Sequence, residues 1–141
     1  MGTLTVRHLD GDRFRIGIRD HELLVDQPVA DGGDDTAPTP TELFVASLAA
    51  CVGFYAHQYL VRHGLPVAGL AVTADYATAT QPARVSDITI GIRVPDGVPE
   101  ERLGALLAVA SHCTVHNSLV VPPTVSIVLD ESPTPKSVGI A

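Results

Sequence analysis

The chain is predicted to fold as an α+β domain, a mainly antiparallel sheet built around one long buried central helix. Three observations predict it. Stretches of alternating apolar and polar residues, the mark of half-buried strands, cluster near the N-terminus and again in the middle of the chain. A single run over residues 43–56, LFVASLAACVGFYA, is apolar on almost every helical face. Strands and helices are segregated along the sequence instead of alternating strictly. With 141 residues the chain is long enough for a real core, which predicts one domain over 1–141. Apolar residues at 45% against 18% charged exclude a disordered composition.

From Thr3 to Val25 the alternation puts Phe14, Ile16 and Ile18 on one parity and Arg13, Arg15, Gly17 and Arg19 on the other. Turns at Asp10-Gly11 and Arg19-Asp20-His21 divide it into two or three antiparallel strands, the last ending with Glu22 to Val25. The arginines read as a solvated strand face. Pro28 to Pro40 is a loop, since three prolines, two glycines and three aspartates leave it no periodicity. Thr39-Pro40-Thr41-Glu42 has the order of a capping box and predicts a helix start, with Arg62-His63-Gly64 and Pro66 closing the helix. A helix apolar all round is expected to be buried all round. His57, Gln58 and Arg62 interrupt it short of the roughly 20 apolar residues of a membrane span, which predicts a core helix and no membrane partner.

Val67 to Ala77 and Val85 to Val94 alternate, are rich in β-branched residues and flank Thr80-Gln81-Pro82-Ala83, so a hairpin is predicted. Pro99 to Ala110 reads as a second amphipathic helix with Glu100 and Glu101 favourably placed in its first turn. A short helix capped by Ser111 follows; beyond Pro122-Pro123, Thr124 to Leu129 reads as a last strand, and the tail from Glu131 as partly mobile.

The formal charge of −7 argues against nucleic-acid and anionic-membrane partners, which require a cationic surface. MGTLTVRHLDGDRFR has no apolar stretch of the kind a secretory leader uses, and two cysteines are too few for a disulfide framework. A cytoplasmic protein with free or cycling thiols is therefore expected.

Those two cysteines are the residues with the most chemistry to offer. Cys51 sits in mid-helix among Phe44, Leu48, Phe54 and Tyr55, where a cysteine alone is usually an inert small hydrophobe. Cys113 lies in SHCTVHNSL, residues 111–119. In the first turn of a helix, with His112 and His116 close by in sequence, it is expected to be the more acidic thiol. Zinc could use Cys113 and His116 at i, i+3 with two ligands from elsewhere, but the rest of the chain offers no CxxC or HxxxH pair, so no metal is expected. A Cys/His acyl-transfer nucleophile lacks an elbow and an orienting group for His116. Redox cycling between Cys51 and Cys113 asks only that the fold bring the sulfurs within disulfide reach.

The segment DHELLVDQPVADGGDDTAPTPTELFVASLAAC, followed at a distance by HCTVHNSL, resembles the OsmC/Ohr family of thiol-dependent hydroperoxide reductases along nearly the whole chain. The resemblance implies an OsmC-like subunit in an intertwined homodimer, with active sites at the subunit interface. It implies that Cys51 is the peroxidatic cysteine, that Cys113 is the resolving one, and that a cellular dithiol reduces their disulfide. Organic hydroperoxides would be the substrates, and no metal, haem or flavin would be needed. The alternative from another class is a binding protein for a small apolar ligand, with structural or redox-sensing cysteines.

Two positions depart from the family pattern. The catalytic Glu of the reductases lies ten residues before the first cysteine, where this chain has Thr41. Glu42, nine before, points to the other side of the helix and lies about 13 Å along its axis, so it cannot touch Cys51 within its own helix and reads as half of the capping box. Arg13 is the nearest candidate for the arginine that activates the thiol. Thr114 stands where relatives often carry proline.

Overall fold

Turns at Gly11, in the left-handed region at φ 47°, and at Arg19-Asp20 break the N-terminal alternation into three strands. In this computed structural model, which describes residues 1–130, they are β1 (Thr5–Asp10), β2 (Arg13–Ile18) and β3 (His21–Val25), an antiparallel meander in that order. Val6 pairs with Ile16 and Ile16 with Leu23, while Phe14 pairs with Val25. Because cross-strand partners point to the same side, these residues form one apolar face. Val6, Phe14 and Leu23 are exposed on it, and among the described residues the sheet makes no extensive contact with a helix.

The loop after β3 is tied down by one buried side chain. Asp26 accepts hydrogen bonds from the amide of Gln27 at 2.7 Å and from the amide and hydroxyl of Thr36 at 3.0 and 2.7 Å. Its own amide donates to the carbonyl of Pro38 at 3.1 Å, just ahead of the central helix. The bonds from Thr36, first from its amide and then from its hydroxyl, outweigh desolvation and lower the Asp26 pKa from 3.8 to about 2. A depressed carboxylate pKa stabilises the fold above the unfolded value, and that contribution is lost as pH falls through the folded one. We expect the wild type to lose stability relative to Asp26→Asn between about pH 4 and pH 2, read as the urea midpoint at each pH. Equal slopes in that window would show that the carboxylate is not so held.

Helix α1 (Pro40–Arg62) begins as the capping box predicts, with Pro40 at its first position. The Glu42 amide donates to Thr39 Oγ1 at 3.0 Å and the Thr39 amide donates to Glu42 Oε1 at 2.9 Å. The hairpin follows as β4 (Ala71–Ala79) and β5 (Arg84–Arg93), antiparallel, with Tyr76 opposite Ile88 and Ala74 opposite Ile90. β4 starts later than the predicted Val67 because Gly69, at φ 88°, makes a turn there. The second predicted helix divides into a 3-10 turn, Glu100–Arg102, and α2 (Leu103–Ala110). A last short helix, α3, spans Thr114–Val120.

The core lies where α1 crosses α2 and the hairpin. Leu48, Val52, Ala56, Tyr59 and Leu60 of α1 meet Leu106 and Ala110 of α2 and Cys113, with Ile88, Ile90 and Ile92 of β5 packed against them. By length and composition α1 is also a candidate to cross a membrane, but its buried stripe packs against α2, α3 and the hairpin, as in a core helix.

Three expectations are corrected. Burial of α1 is one-sided: Phe44, Phe54 and Val61 are exposed, because within one chain α2, α3 and the hairpin cover only one flank. The antiparallel strands form two separate sheets. Thr124–Leu129 forms no strand and is exposed throughout, Ile127 at 94%, since a strand requires a partner edge and none of the described strands lies beside it. The expectation for the tail from Glu131 lies outside the described residues.

Candidate active site

Helix α1 presents Cys51 half-buried at the edge of the core, one turn before Tyr55. The chain then passes through the hairpin and α2 and returns to the same place at Cys113. There Cys113 is part of the core cluster, at 0% exposure, with Cys51 packed against that cluster and close enough to act on the Cys113 ionisation. Both are free thiols.

Cys113 is the N-cap of α3 and not a first-turn residue. Its sulfur accepts from the His116 amide at 3.3 Å. That alters the electrostatics expected from sequence. Burial pushes the Cys113 thiol up, and its hydrogen bond with Cys51 and the charge of Cys51 push the same way, against weaker opposing pulls from the His116 and Val115 amides. The helix-terminal effect is present and is outweighed by desolvation. Burial therefore favours the neutral form of the Cys113 thiol, against the acidic thiol expected from its place at a helix start.

The histidines of SHCTVHNSL serve the backbone. His112 Nδ1–H donates to the Ala108 carbonyl at 2.6 Å, and His116 Nδ1–H donates to the Ser111 carbonyl. A carbonyl only accepts, so Nδ1 of each ring carries a proton. Asn117 Nδ2 donates to the His112 carbonyl at 3.2 Å, which fixes the segment further. Among the described residues no three of His, Cys, Asp and Glu gather in a group able to hold a metal ion.

The remaining sequence candidates stand elsewhere in the chain. Glu42 is occupied by Thr39 at the start of α1. Arg13 is at the start of β2, its Nη1 bound to the Asp10 carboxylate at 3.1 and 3.2 Å, in the sheet that does not pack on α1. The structure thus brings together Cys51, Cys113 and the backbone of His116, and leaves Glu42 and Arg13 apart from them within one chain.

A further pair emerges only in three dimensions. Tyr55 Oη and Thr114 Oγ1 hydrogen-bond at 2.9 Å, linking the residue one turn after Cys51 to the residue next to Cys113. The spacing of Tyr55 from Cys51 was visible in the sequence; its partner was not. Between α1, β5, α2 and α3 lies a cavity of about 350 Å3 that neither cysteine lines, walled mainly by apolar side chains, among them Leu48, Val52, Ile90, Leu107 and Leu119, with Ser111 and His116 as polar members.

The different exposures give a direct expectation. Assembly can only bury Cys113 further, so Cys51 should be alkylated by iodoacetamide well before Cys113, as peptide mass mapping would record. Equal rates at the two cysteines would contradict the arrangement described.

A family model described as OsmC-like protein matches residues 32–128. No curated protein matches the chain. Among solved structures, a Psychrobacter arcticus protein with an osmotic-stress and detoxification description is similar at 25% identity and TM-score 0.77, over 84% of this chain and 88% of that one. An OsmC like protein from Mycoplasma pneumoniae is similar at 15% identity and TM-score 0.74, over 85% and 87%. The organic hydroperoxide resistance protein OhrB of Bacillus subtilis is similar at 18% identity and TM-score 0.58, over 84% and 89%. At the lower identities the likeness concerns the fold.

Proposed function

The chain belongs to the family of OsmC-like proteins, and from that premise we propose that it reduces organic hydroperoxides to alcohols with Cys51 and Cys113. The observation that carries the reading is the meeting of two thiols from remote segments, one half-buried and one fully buried. In the first step the Cys51 thiolate attacks one oxygen of the hydroperoxide. The sulfur–oxygen bond forms as the oxygen–oxygen bond breaks, and the departing alkoxide takes up a proton to leave as the alcohol. Cys51 is left as the sulfenic acid. The Cys113 sulfur then attacks the Cys51 sulfur, expelling hydroxide, which leaves as water with the Cys113 proton. A cellular dithiol supplies the two electrons and two protons that reopen the disulfide.

The relative exposure of the two thiols suits this order. The accessible thiol meets the peroxide, while the buried one stays protonated until a sulfenic acid forms beside it. An apolar cavity walled by Leu48 and Val52 of the helix that carries Cys51 suits an alkyl hydroperoxide better than hydrogen peroxide, through burial of the alkyl group.

A homodimer belongs to the same proposal. The apolar face of the β1–β3 sheet, the outer side of α1 and residues 125–129 all leave large apolar side chains exposed in one chain, and exposed apolar surface of that kind supports a protein–protein contact. In the same proposal the partner subunit's Arg13 is the candidate cation for stabilising the Cys51 thiolate. The place of action we propose is the cytoplasm, where dithiol reductants keep such cysteines cycling.

Mixing reduced protein with cumene hydroperoxide and counting free thiols tests the reading. Loss of both thiols per chain within minutes is expected. Unchanged thiols would favour the second reading, a binding protein that uses the apolar cavity and keeps its cysteines as structural or sensing groups.

A further inference from the structure

We infer that the hydrogen bond between Tyr55 and Thr114 is a positioning clasp that holds Cys113 in line for attack on oxidised Cys51. The inference deepens the proposed function and rests on it for its peroxide arm. Tyr55 is fixed to Cys51 by one turn of α1, and Thr114 is covalently next to Cys113. The bond at 2.9 Å therefore ties the carriers of the two sulfurs to each other at the point where they meet.

The clasp has something to restrain. α3 is only seven residues long with no buried residue of its own. It is held to α1 by the buried Cys113, by Val115 packed on the core, and by this pair of hydroxyls. Disulfide formation is geometrically demanding, with Cβ atoms about 4 Å apart and a fixed torsion about the new bond. A small displacement of α3 would leave Cys113 buried and the fold intact, yet move its sulfur off the line of attack. Misplacement by about 1 Å can slow an intramolecular step by about 10²-fold. The bonds made and broken in the first step involve Cys51 and peroxide only, so that step does not require the Cys113 sulfur to be in line.

The clasp should thus separate the two half-reactions. In Tyr55→Phe and Thr114→Val, Cys51 should still be oxidised by cumene hydroperoxide, while closure of the disulfide slows by roughly tenfold or more. Cys51 sulfenic acid would accumulate, captured by dimedone, and excess peroxide would carry it on to the sulfinic acid. Thr114→Ser keeps the hydroxyl and should close at the wild-type rate, which a purely steric role for Thr114 would not predict. A second oxidant makes the test independent of peroxide chemistry. Diamide adds one thiol, and the second thiol displaces the resulting hydrazide to form the disulfide, so its second step reads sulfur apposition alone. The same slowing is expected with diamide in Tyr55→Phe and Thr114→Val. Wild-type closure rates in both variants with both oxidants would overturn the clasp. If the wild type ignores peroxide but diamide shows the difference, the proposed function fails and the clasp stands.

Discussion

Cys51→Ser is expected to abolish peroxide-dependent turnover, a fall on the order of 10³-fold or more, because a serine hydroxyl at neutral pH is neither ionised nor soft enough to attack an oxygen–oxygen bond. Cys113→Ser should behave differently. The half-buried Cys51 keeps its access, so one equivalent of peroxide is still consumed, and the protein becomes one oxygen atom heavier with the sulfenic acid trapped. Mass measurement of each variant after one equivalent of cumene hydroperoxide decides between the roles. If Cys51→Ser gained oxygen at Cys113 instead, the assignments would have to be exchanged. That exchange is what the position of Cys113 at a helix start would suggest, and what its burial argues against.

Gly33→Ala is expected to destabilise the fold by about 1–3 kcal/mol or more, the cost of forcing atoms into a closed space. A Cβ at this position would stand 2.1 Å from the Gln27 carbonyl oxygen and 2.8 Å from Asp26 Oδ1. The first of these is backbone and cannot swing aside. To make room, the loop must give up some of its bonds: Gly33 amide to Pro28 carbonyl at 3.1 Å, Asp35 amide to Gln27 carbonyl at 3.0 Å, or the grip of Asp26 on Thr36. Since the Asp26 amide also holds the Pro38 carbonyl ahead of α1, strain there reaches the start of the helix that carries Cys51. Urea midpoints read the effect, and a midpoint equal to wild type would show that the loop absorbs the methyl group without loss. Gly104, whose added Cβ would meet nothing within 4 Å, is the control.

What could be read before the structure was mostly local. The capping box at Thr39 and Glu42, the three N-terminal strands and the β4–β5 hairpin depend on residues a few positions apart, and all formed. The meeting of Cys51 with Cys113 is a long-range feature that no periodicity predicts; the residues left their pairing as one open reading and the resemblance implied it. Burial was the less legible quantity. The apolar run of α1 gave no sign that one side would stay uncovered, and the helical position of Cys113 did not disclose the desolvation that governs its thiol. Alternation over Thr124–Leu129 indicated a strand but could not supply the edge it would pair with. The hydroxyl of Thr114 gained a meaning only when Tyr55 was found opposite it.

The central claim is that Cys51 and Cys113 of one chain join when the protein meets an organic hydroperoxide. Peptide mass mapping without reductant, after brief exposure to cumene hydroperoxide, tests it most directly. The account predicts a Cys51 peptide linked to a Cys113 peptide from the same chain, reversed by a dithiol. Two free thiols after exposure, or linkage only between separate chains, would contradict it.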